Sequence, residues 1–155
     1  MKDIKVFTSL EALDAESKYL VHKAKEAAQH AYAPYSKFHV GATILLEDGT
    51  VVPGANQENA SYPLCMCAER VALYAAASQH PGKAIKKLAV VAHKKNHKEF
   101  SNASSCGACR QVIREFEERQ GEPIQLVMYE DQKWMVCASA ATLLPFSFDS
   151  TNLKD

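Results

Sequence analysis

Two short cysteine clusters constrain the fold of this 155-residue chain more than any other feature of its sequence. The first, residues 67–69, reads Cys-Ala-Glu, and the second, residues 106–109, reads Cys-Gly-Ala-Cys. Each cluster stands where a helix is predicted to begin. Cys106 and Cys109 are three positions apart, so their side chains point the same way within a first helical turn. A fold that joins the clusters must bring two helix N-termini together.

The position of these cysteines favours the chemistry of a metal site. A helix N-terminus carries partial positive charge and free N–H groups, which lower the pKa of a thiol and favour the thiolate that binds metal. Thiolates from Cys67, Cys106 and Cys109 would leave one position of a tetrahedral zinc ion open, and that is the arrangement of catalytic zinc. Glu69 is placed to reach a water at the open position and to carry its proton.

Other interpretations of the cysteines remain open. A C-x-x-C pair also occurs in redox proteins, and buried core cysteines need no function at all. The redox interpretation leaves the third cysteine and the C-x-E motif unexplained, and an odd total of five cysteines argues against a disulfide framework. Cys65 could replace Cys67 as a ligand, but only Cys67 has a Glu two residues on. We interpret Cys65 as a pocket-lining or packing residue and Cys137 as a core residue.

Composition and charge indicate an ordinary globular protein with a small-molecule partner. Hydrophobic residues make up 47% of the chain, charged residues 23%, and the formal net charge is +0. Neutrality argues against nucleic acid as a partner. Residues 1–10 lack the apolar segment of a signal peptide, and no apolar run approaches the ~20 residues that span a membrane. We therefore expect a cytoplasmic protein, without membrane or nucleic-acid partners, in which residues 1–155 form a single domain.

The order of the predicted elements favours an α/β fold, a three-layer α/β/α sandwich around a mixed five-stranded sheet. The first two strands must be antiparallel because the turn at residues 47–50 is too short for a crossover. Strands separated by helices should pair in parallel. The first helix is expected to start near Thr8 and Ser9, with a capping box formed by Thr8 and Glu11. The other predicted elements are strands at 39–46, 51–52, 87–93, 124–129 and 134–138, and helices at 67–79 and 106–121.

Taken with other segments, these motifs resemble the small homotetrameric type of the zinc-dependent cytidine and deoxycytidylate deaminase family. The pair of C-A-E and C-x-x-C motifs is the signature of zinc deaminases, with Cys67 where many relatives carry His. The resemblance covers most of the chain, from residues 33–41 to residues 143–148. Within it lie the matching segments 56–59, 62–64, 67–70 and 106–111.

The resemblance implies an activity, an assembly and a set of site residues. The activity is hydrolytic removal of the 4-amino group from free cytidine and deoxycytidine in pyrimidine salvage, with Zn²⁺ as cofactor and Glu69 as the proton shuttle. The assembly is a homotetramer whose pockets are completed by neighbouring subunits. The implied substrate contacts are Asn56 and Glu58 with the ribose 3′-hydroxyl, Phe38 with the pyrimidine, the backbone N–H of Ala68 with the base carbonyl, and Phe148 as the aromatic that closes a neighbour's pocket.

Arg70 has a physical rationale of its own. Three thiolates around Zn²⁺ make a negatively charged site, which would make a bound water less acidic. A guanidinium that donates hydrogen bonds to the thiolates withdraws charge from them and restores the Lewis acidity of the metal. We therefore expect Arg70 to contact the metal-binding sulfurs.

The chain departs from the family pattern at several positions. Ser105 stands where the family usually has Pro, His39 where Pro is common, and Cys65 where Gly is common. Because Ser105 can cap the helix that follows it, we expect the zinc site to be retained. The departures bear on substrate preference more than on the reaction.

Two alternative functions remain open beside cytidine deamination. The first is a related zinc deaminase that acts on a blasticidin-type nucleoside, on guanine or on bases in nucleic acid. Asn56 and Glu58 favour a free nucleoside, because a buried sugar hydroxyl needs both a donor and an acceptor. The second is a zinc-stabilised binding protein without catalysis, which would be expected to lack Glu69 or one of the ligands.

Overall fold

The computed structural model describes residues 3–153 of the chain. Within them a single six-stranded sheet runs in the order β1-β6-β5-β4-β2-β3, with three α-helices packed on it. The strands are β1 (Ile4–Phe7), β2 (Phe38–Leu46), β3 (Val51–Ala55), β4 (Ile85–Lys94), β5 (Gln125–Glu130) and β6 (Lys133–Cys137), and the helices are α1 (Ala15–Ala28), α2 (Ala68–Gln79) and α3 (Gly107–Gln120).

The sheet is mixed, as predicted, but it has six strands where five were expected. The additional strand is β1, which pairs antiparallel with β6 at the sheet edge. The expected helix start near Thr8 and Ser9 is wrong, because a 3₁₀ turn at Leu10–Ala12 follows β1 and α1 begins later. Asp14 is the N-cap of α1 and accepts a hydrogen bond from the backbone N–H of Ser17 at 2.9 Å. That bond satisfies a helix N–H that would otherwise lack a partner.

Strand pairing follows the prediction at two places and departs from it at a third. The β2–β3 pair is antiparallel and the β4–β5 pair, joined through α3, is parallel. The strands on either side of α2 do not pair, because β2 lies between β3 and β4 and is antiparallel to both. Pro53 explains the order: it lacks a backbone N–H for a second ladder, so β3 belongs at an edge.

The helices lie on both faces of the sheet and confirm the three-layer sandwich. α1 covers one face and α2 and α3 cover the other. Two glycines let the helices approach closely: a Cβ on Gly41 would come 1.9 Å from the carbonyl oxygen of Ala24 in α1, and one on Gly54 would come 2.5 Å from the backbone nitrogen of Ala72 in α2. The first core contains Leu20, Val21, Ala24, Leu45, Val91 and Val127, and the second contains Ile44, Leu73, Leu88, Val90, Ile113 and Leu126.

This packing places the first turns of α2 and α3 on the same face of the sheet. A cleft lies beside them and is also lined by Val40 of β2 and Ala92 of β4. The loop that leads into α3, residues 102–104, forms another wall. None of the helices within residues 3–153 combines the length and the apolar character that crossing a bilayer requires.

Candidate active site

The two cysteine clusters meet at the junction of α2 and α3. Cys67 is the N-cap of α2, Cys106 is the N-cap of α3, and Cys109 lies buried in the first turn of α3. The Sγ atoms of Cys67 and Cys106 are 3.9 Å apart, and all three sulfurs lie within 4.8 Å of one another. The backbone N–H of Cys109 donates to the sulfur of Cys106 at 3.5 Å. Two helix N-termini thus bring three thiols to one point, as the sequence predicted.

The spacing and protonation of the thiols fit a zinc ion. With Zn–S bonds of ~2.3 Å, sulfurs in a tetrahedral site lie about 3.8 Å apart, close to the distance between Cys67 and Cys106. A hydrogen bond from the Cys109 thiol, with a smaller contribution from the Arg70 guanidinium, lowers the pKa of Cys67 to about 5 against the effect of burial. The Cys109 thiol donates this hydrogen bond to Cys67, and the hydrogen bond together with burial raises the pKa of Cys109. The cluster therefore favours the thiolate of Cys67, the form that binds metal.

Arg70 contacts the sulfur cluster, as expected from the sequence. Its Nη2 donates to the sulfur of Cys67 at 3.5 Å. Its Nε is buried and has no hydrogen-bond partner among the described residues. The guanidinium therefore withdraws charge from the sulfur cluster and keeps hydrogen-bonding capacity beside it.

Glu69 lies in the first turn of α2 with only 4% of its surface exposed. Burial raises the pKa of its carboxyl above the usual range. In the part of the chain that the structure describes, no basic side chain forms an ion pair with it. The hydroxyl of Ser105 is near enough to lower this pKa but makes no hydrogen bond of ordinary geometry. A buried carboxyl beside a metal site, without a cation to hold it ionised, is suited to proton transfer.

The cleft next to the sulfurs has a volume of about 530 Å³. Sites for small molecules have volumes of about 300–1,000 Å³ and mostly apolar walls with a few polar groups. Phe38 and Val40 form part of the apolar wall, and Glu69 and Cys67 lie at the end of the cleft next to the sulfur cluster. Ala68 also lines the cleft. The arrangement can hold one planar ring against Phe38 with its reacting atom near the sulfur cluster.

Asn56 and Glu58 follow β3 and line the same cleft. The amide of Asn56 accepts from the N–H of Val40 at 2.8 Å and donates to the carbonyl of Phe38 at 2.9 Å. One N–H and one oxygen lone pair remain for a ligand. The carboxylate of Glu58 accepts from the N–H of Tyr35 at 2.9 Å and from the Ser36 hydroxyl, and the Ser36 hydrogen bond lowers the pKa of Glu58. This pair therefore offers a donor and a charged acceptor.

Comparison with known proteins decides the family. Residues 14–121 match the family described as "Cytidine and deoxycytidylate deaminase zinc-binding region". The chain belongs to this deaminase family. It is 48% identical over 97 residues to the cytidine deaminase of Sporosarcina psychrophila, covering 63% of this chain and 67% of that protein. It is 33% identical over 133 residues to the probable cytidine deaminase of Dictyostelium discoideum, covering 86% and 84%.

A solved structure supports the same family assignment. The crystal structure of cytidine deaminase from Burkholderia pseudomallei matches with a TM-score of 0.72 and 40% identity, covering 88% of this chain and 100% of that chain. The cytidine deaminase of Mycobacterium tuberculosis matches with a TM-score of 0.68 and 35% identity, covering 88% and 99%. The α/β/α sandwich and the mixed sheet described above are therefore those of a cytidine deaminase fold.

One residue implied by the deaminase resemblance lies apart from the cleft of its own chain. Phe148 is not among the residues that line the cleft, and 64% of its surface is exposed. Gln111 of α3 donates from Nε2 to the backbone carbonyl of Phe148 at 2.9 Å. Phe146 is fully exposed and has a positive φ of 55°. The C-terminal segment thus presents two aromatic rings away from the chain's own core.

The departures from the deaminase pattern have different structural consequences. The expected capping role of Ser105 is wrong, since Cys106 is the N-cap and accepts the N–H of Cys109 itself. Cys65 lines the cleft, as expected, and its sulfur accepts from the N–H of Asn59 at 3.3 Å. His39 stacks on His93 with ring centroids 5.5 Å apart and does not line the cleft.

Several cleft residues carry no clear signal in the sequence. They include Ser36, which donates a hydrogen bond to the Glu58 carboxylate, and residues 102–104. The sequence offers a weak signal for the second group, because a loop that ends in a metal-ligating helix N-terminus must pass beside the metal. It offers none for the contact between Ser36 and Glu58, which depends on how the loop before β2 folds over the segment after β3.

Proposed function

We propose that this chain is a single-domain zinc hydrolase that converts cytidine and deoxycytidine into uridine and deoxyuridine with release of ammonia. One observation carries the proposal: three thiols within 4.8 Å of one another adjoin the buried Glu69 at one end of a cleft large enough for a nucleoside. Membership of the deaminase family and the named activities of its relatives support it.

The residues divide the chemistry between them. Zinc, held by Cys67, Cys106 and Cys109, would supply the Lewis acidity that makes a water nucleophilic near neutral pH. Glu69 takes one proton from the attacking water and delivers it to N3 of the pyrimidine while the oxygen bonds to C4. Glu69 then takes the remaining proton of that oxygen and gives it to the amino group, and the C4–N bond breaks to release ammonia. Burial of Glu69 favours this role because it makes the carboxylate a better base.

Other residues bind and orient the nucleoside. The N–H of Ala68, the residue that precedes Glu69, donates to the base carbonyl, and the ring of Phe38 packs against the pyrimidine. Asn56 and Glu58 hold the ribose 3′-hydroxyl through the free amide group and the carboxylate described above. Arg70 neutralises the sulfur cluster through Cys67. Each of these groups lines the cleft or contacts a residue that does.

The proposed assembly is a homotetramer in which Phe148 closes the cleft of a neighbouring subunit. The exposed rings of Phe146 and Phe148 support this assembly, since large aromatic side chains are seldom left in water without a partner. Light scattering should give a mass about four times the 17.1 kDa of the chain. A cytoplasmic location accords with the three closely spaced thiols, because an oxidising compartment would convert them to disulfides.

The activity is tested with purified, zinc-loaded protein and cytidine. Conversion to uridine, followed by the fall in absorbance and by equimolar ammonia, is the expected result. Glu58→Gln should raise KM for cytidine with a smaller effect on kcat, because its role is in binding the sugar. Protein that holds one zinc per chain and leaves both cytidine and deoxycytidine unchanged would refute the proposal.

A further inference from the structure

One wall of the cleft is a loop rather than a strand or a helix. Residues 102–104 line the cleft and have no regular secondary structure. By contrast, the lining residues Val40, Val90 and Ala92 lie in strands and Glu69 lies in a helix, where backbone hydrogen bonds hold them in place. The loop lacks such a regular set of bonds, so contacts with other segments of the chain must set its position.

The backbone of the loop is bound to the ends of two strands. The N–H of Ser101 donates to the carbonyl of Ala92 in β4 at 2.8 Å, and the N–H of Ala103 donates to the carbonyl of Tyr129 in β5 at 2.8 Å. Because β4 and β5 are parallel, their carboxyl ends lie at the same edge of the sheet, and the loop crosses that edge. Ligands of α/β sheets commonly bind at this edge. These two bonds fix the path of the loop backbone beside the cleft.

Two further hydrogen bonds join side chains of the loop to the turn between β5 and β6. The hydroxyl of Ser104 donates to Oε2 of Glu130 at 2.5 Å, and Oδ1 of Asn102 accepts from the backbone N–H of Asp131 at 3.1 Å. Asp131 and Gln132 have φ values of 49° and 58°, as in a two-residue hairpin turn. A hydroxyl–carboxylate bond is about twice as strong as one between neutral groups. The short turn therefore holds the side chains of the loop as well as its backbone.

We propose that Glu130 is a positioning residue of the active site, which acts through Ser104 to hold the loop wall of the cleft in the arrangement that binds a nucleoside. The inference rests on the deaminase function proposed above. Glu130 does not line the cleft, whereas Ser104 does, so the effect of Glu130 on the substrate passes through the hydroxyl of Ser104. The bond uses the single hydrogen of that hydroxyl, which leaves only its lone pairs for a bound molecule.

The proposed role predicts an effect on substrate binding rather than on the chemical step. A wall that is ordered before the substrate arrives lowers the free-energy cost of binding. Without the bond to Glu130 the substrate itself would have to order the loop, and this cost is the same in the substrate complex and in the transition state. The three thiols and Glu69 belong to the first turns of α2 and α3 and do not depend on the bond. A uniform loss of this kind raises KM and leaves kcat unchanged.

The experiment compares the zinc-loaded wild type with Glu130→Ala, Glu130→Gln, Ser104→Ala and the double variant Glu130→Ala/Ser104→Ala. Zinc content, the unfolding temperature, and kcat and KM for cytidine are measured for each. Glu130→Ala should raise KM about fivefold and keep kcat within about twofold of the wild type. Glu130→Gln keeps an acceptor oxygen at the same reach and should restore most of the lost affinity. In the Ser104→Ala background, Glu130→Ala should raise KM no further, because its partner is already absent.

Glu115→Ala is the matched control for the loss of one negative charge. Glu115 is exposed on α3 and does not line the cleft. The control should keep the wild-type kcat and KM. If Glu130 served stability alone, Glu130→Ala would lower the unfolding temperature and leave KM unchanged, which would contradict the inference.

Failure of this inference can be distinguished from failure of the proposed function. If the zinc-loaded wild type does not deaminate cytidine, the proposed function fails. If the wild type is active and Glu130→Ala keeps its KM, the inference is wrong. It is equally wrong if Glu130→Gln is as impaired as Glu130→Ala, if Glu130→Ala loses kcat together with zinc, or if it raises KM by the same factor in the Ser104→Ala background.

Discussion

The α1 side of the sheet and the N-termini of α2 and α3 bury polar groups in opposite ways. On the α1 face, Lys87 of β4 is 9% exposed at its side chain and pairs with Glu16 at 2.9 Å and with Asp14 at 3.3 Å. Its Nζ also donates to the Ser17 hydroxyl at 3.1 Å. At the N-termini of α2 and α3, Glu69 has no ion pair among the described residues, and the Ser105 hydroxyl and Arg70 Nε have no hydrogen-bond partner there.

This difference separates structural polar groups from functional ones. A buried polar group that already has its partners contributes to stability and can do little else. One that lacks them lowers stability, and it keeps the capacity to bind a ligand or to move a proton. The first kind lies on the α1 side and also includes Glu117 of α3, which accepts from the N–H groups of Ile124 and Ala140 at 2.9 Å. The second kind lies at the N-termini of α2 and α3. Substitutions in the two regions should therefore affect different measurements.

The largest effect is expected from the sulfur cluster. Cys106→Ala leaves two thiols, which cannot hold a three-ligand catalytic zinc, so the protein should lose zinc and all measurable turnover. Cys137→Ala is the control, because Cys137 is a buried β6 residue whose thiol has a pKa raised by burial. The control should keep one zinc per chain and its activity despite a modest loss of stability. Stoichiometric zinc in Cys106→Ala would contradict the assigned ligand set.

The next effect concerns the proton shuttle. Glu69→Gln keeps the shape of the side chain and removes its basicity, so kcat should fall by about 10³-fold, with zinc retained. Its unfolding temperature should not fall, because the charged form of a buried carboxyl is costly. Glu26→Gln, on the exposed surface of α1, should match the wild type in both measurements. Turnover of Glu69→Gln within tenfold of the wild type would exclude Glu69 as the general base.

Much of the site at the N-termini of α2 and α3 could be predicted from the sequence, because its residues lie close together in the chain. A C-x-x-C motif at a helix start fixes the relation of Cys106 to Cys109 within one helical turn, and Cys67 and Glu69 are fixed in the same way. The meeting of the two cysteine clusters could also be predicted, because three thiolates at two helix N-termini fit one metal ion. The unpaired Ser105 hydroxyl was not predictable, because its state depends on which residue of that helix turn becomes the N-cap.

The α1 face was predicted less well because its contacts join distant segments. The pairing of β1 with β6 joins the first and the last strand of the sheet in chain order, and no local pattern at Ile4–Phe7 predicts it. Lys86 and Lys87 stand side by side where the strand at 87–93 is predicted to begin, and the strand turns Lys87 towards Asp14, more than seventy residues away. Only the fold shows which of these lysines is buried.

A smaller effect is expected when the network on the α1 side is broken. Lys87→Met should lower the free energy of unfolding by about 1–2 kcal/mol, less than for a fully buried ion pair, because Asp14 and Glu16 remain more than half exposed. Lys86→Met is the matched control, since Lys86 is exposed on the same strand and should change stability little. Chemical denaturation and steady-state kinetics check both variants. Both should keep the wild-type kcat. A loss of kcat in Lys87→Met would show that the network on the α1 side affects the active site.

The smallest effect is the pH dependence of that network. The pKa of Asp14 is lowered from 3.8 to about 2, because hydrogen bonds with Ser17 and the charge of Lys87 outweigh the opposing effect of burial. A depressed pKa in the folded state gives stability that is present above pH 3.8 and is lost as the pH falls towards 2. Because the Asp14 side chain is 56% exposed, this contribution should be about 1 kcal/mol.

Asp14→Asn should therefore be less stable than the wild type at pH 6, and the difference should shrink as the pH falls to 2 and disappear below it. Measuring urea denaturation across this range for the wild type, Asp14→Asn, Lys87→Met and the double variant gives the coupling energy between Asp14 and Lys87 at each pH. The coupling should vanish as Asp14 becomes protonated. A coupling that stays at its pH 6 value when the pH reaches 2 would show that the contact acts through packing, and the distinction between a charged structural network and the uncharged Ser105 hydroxyl would need revision.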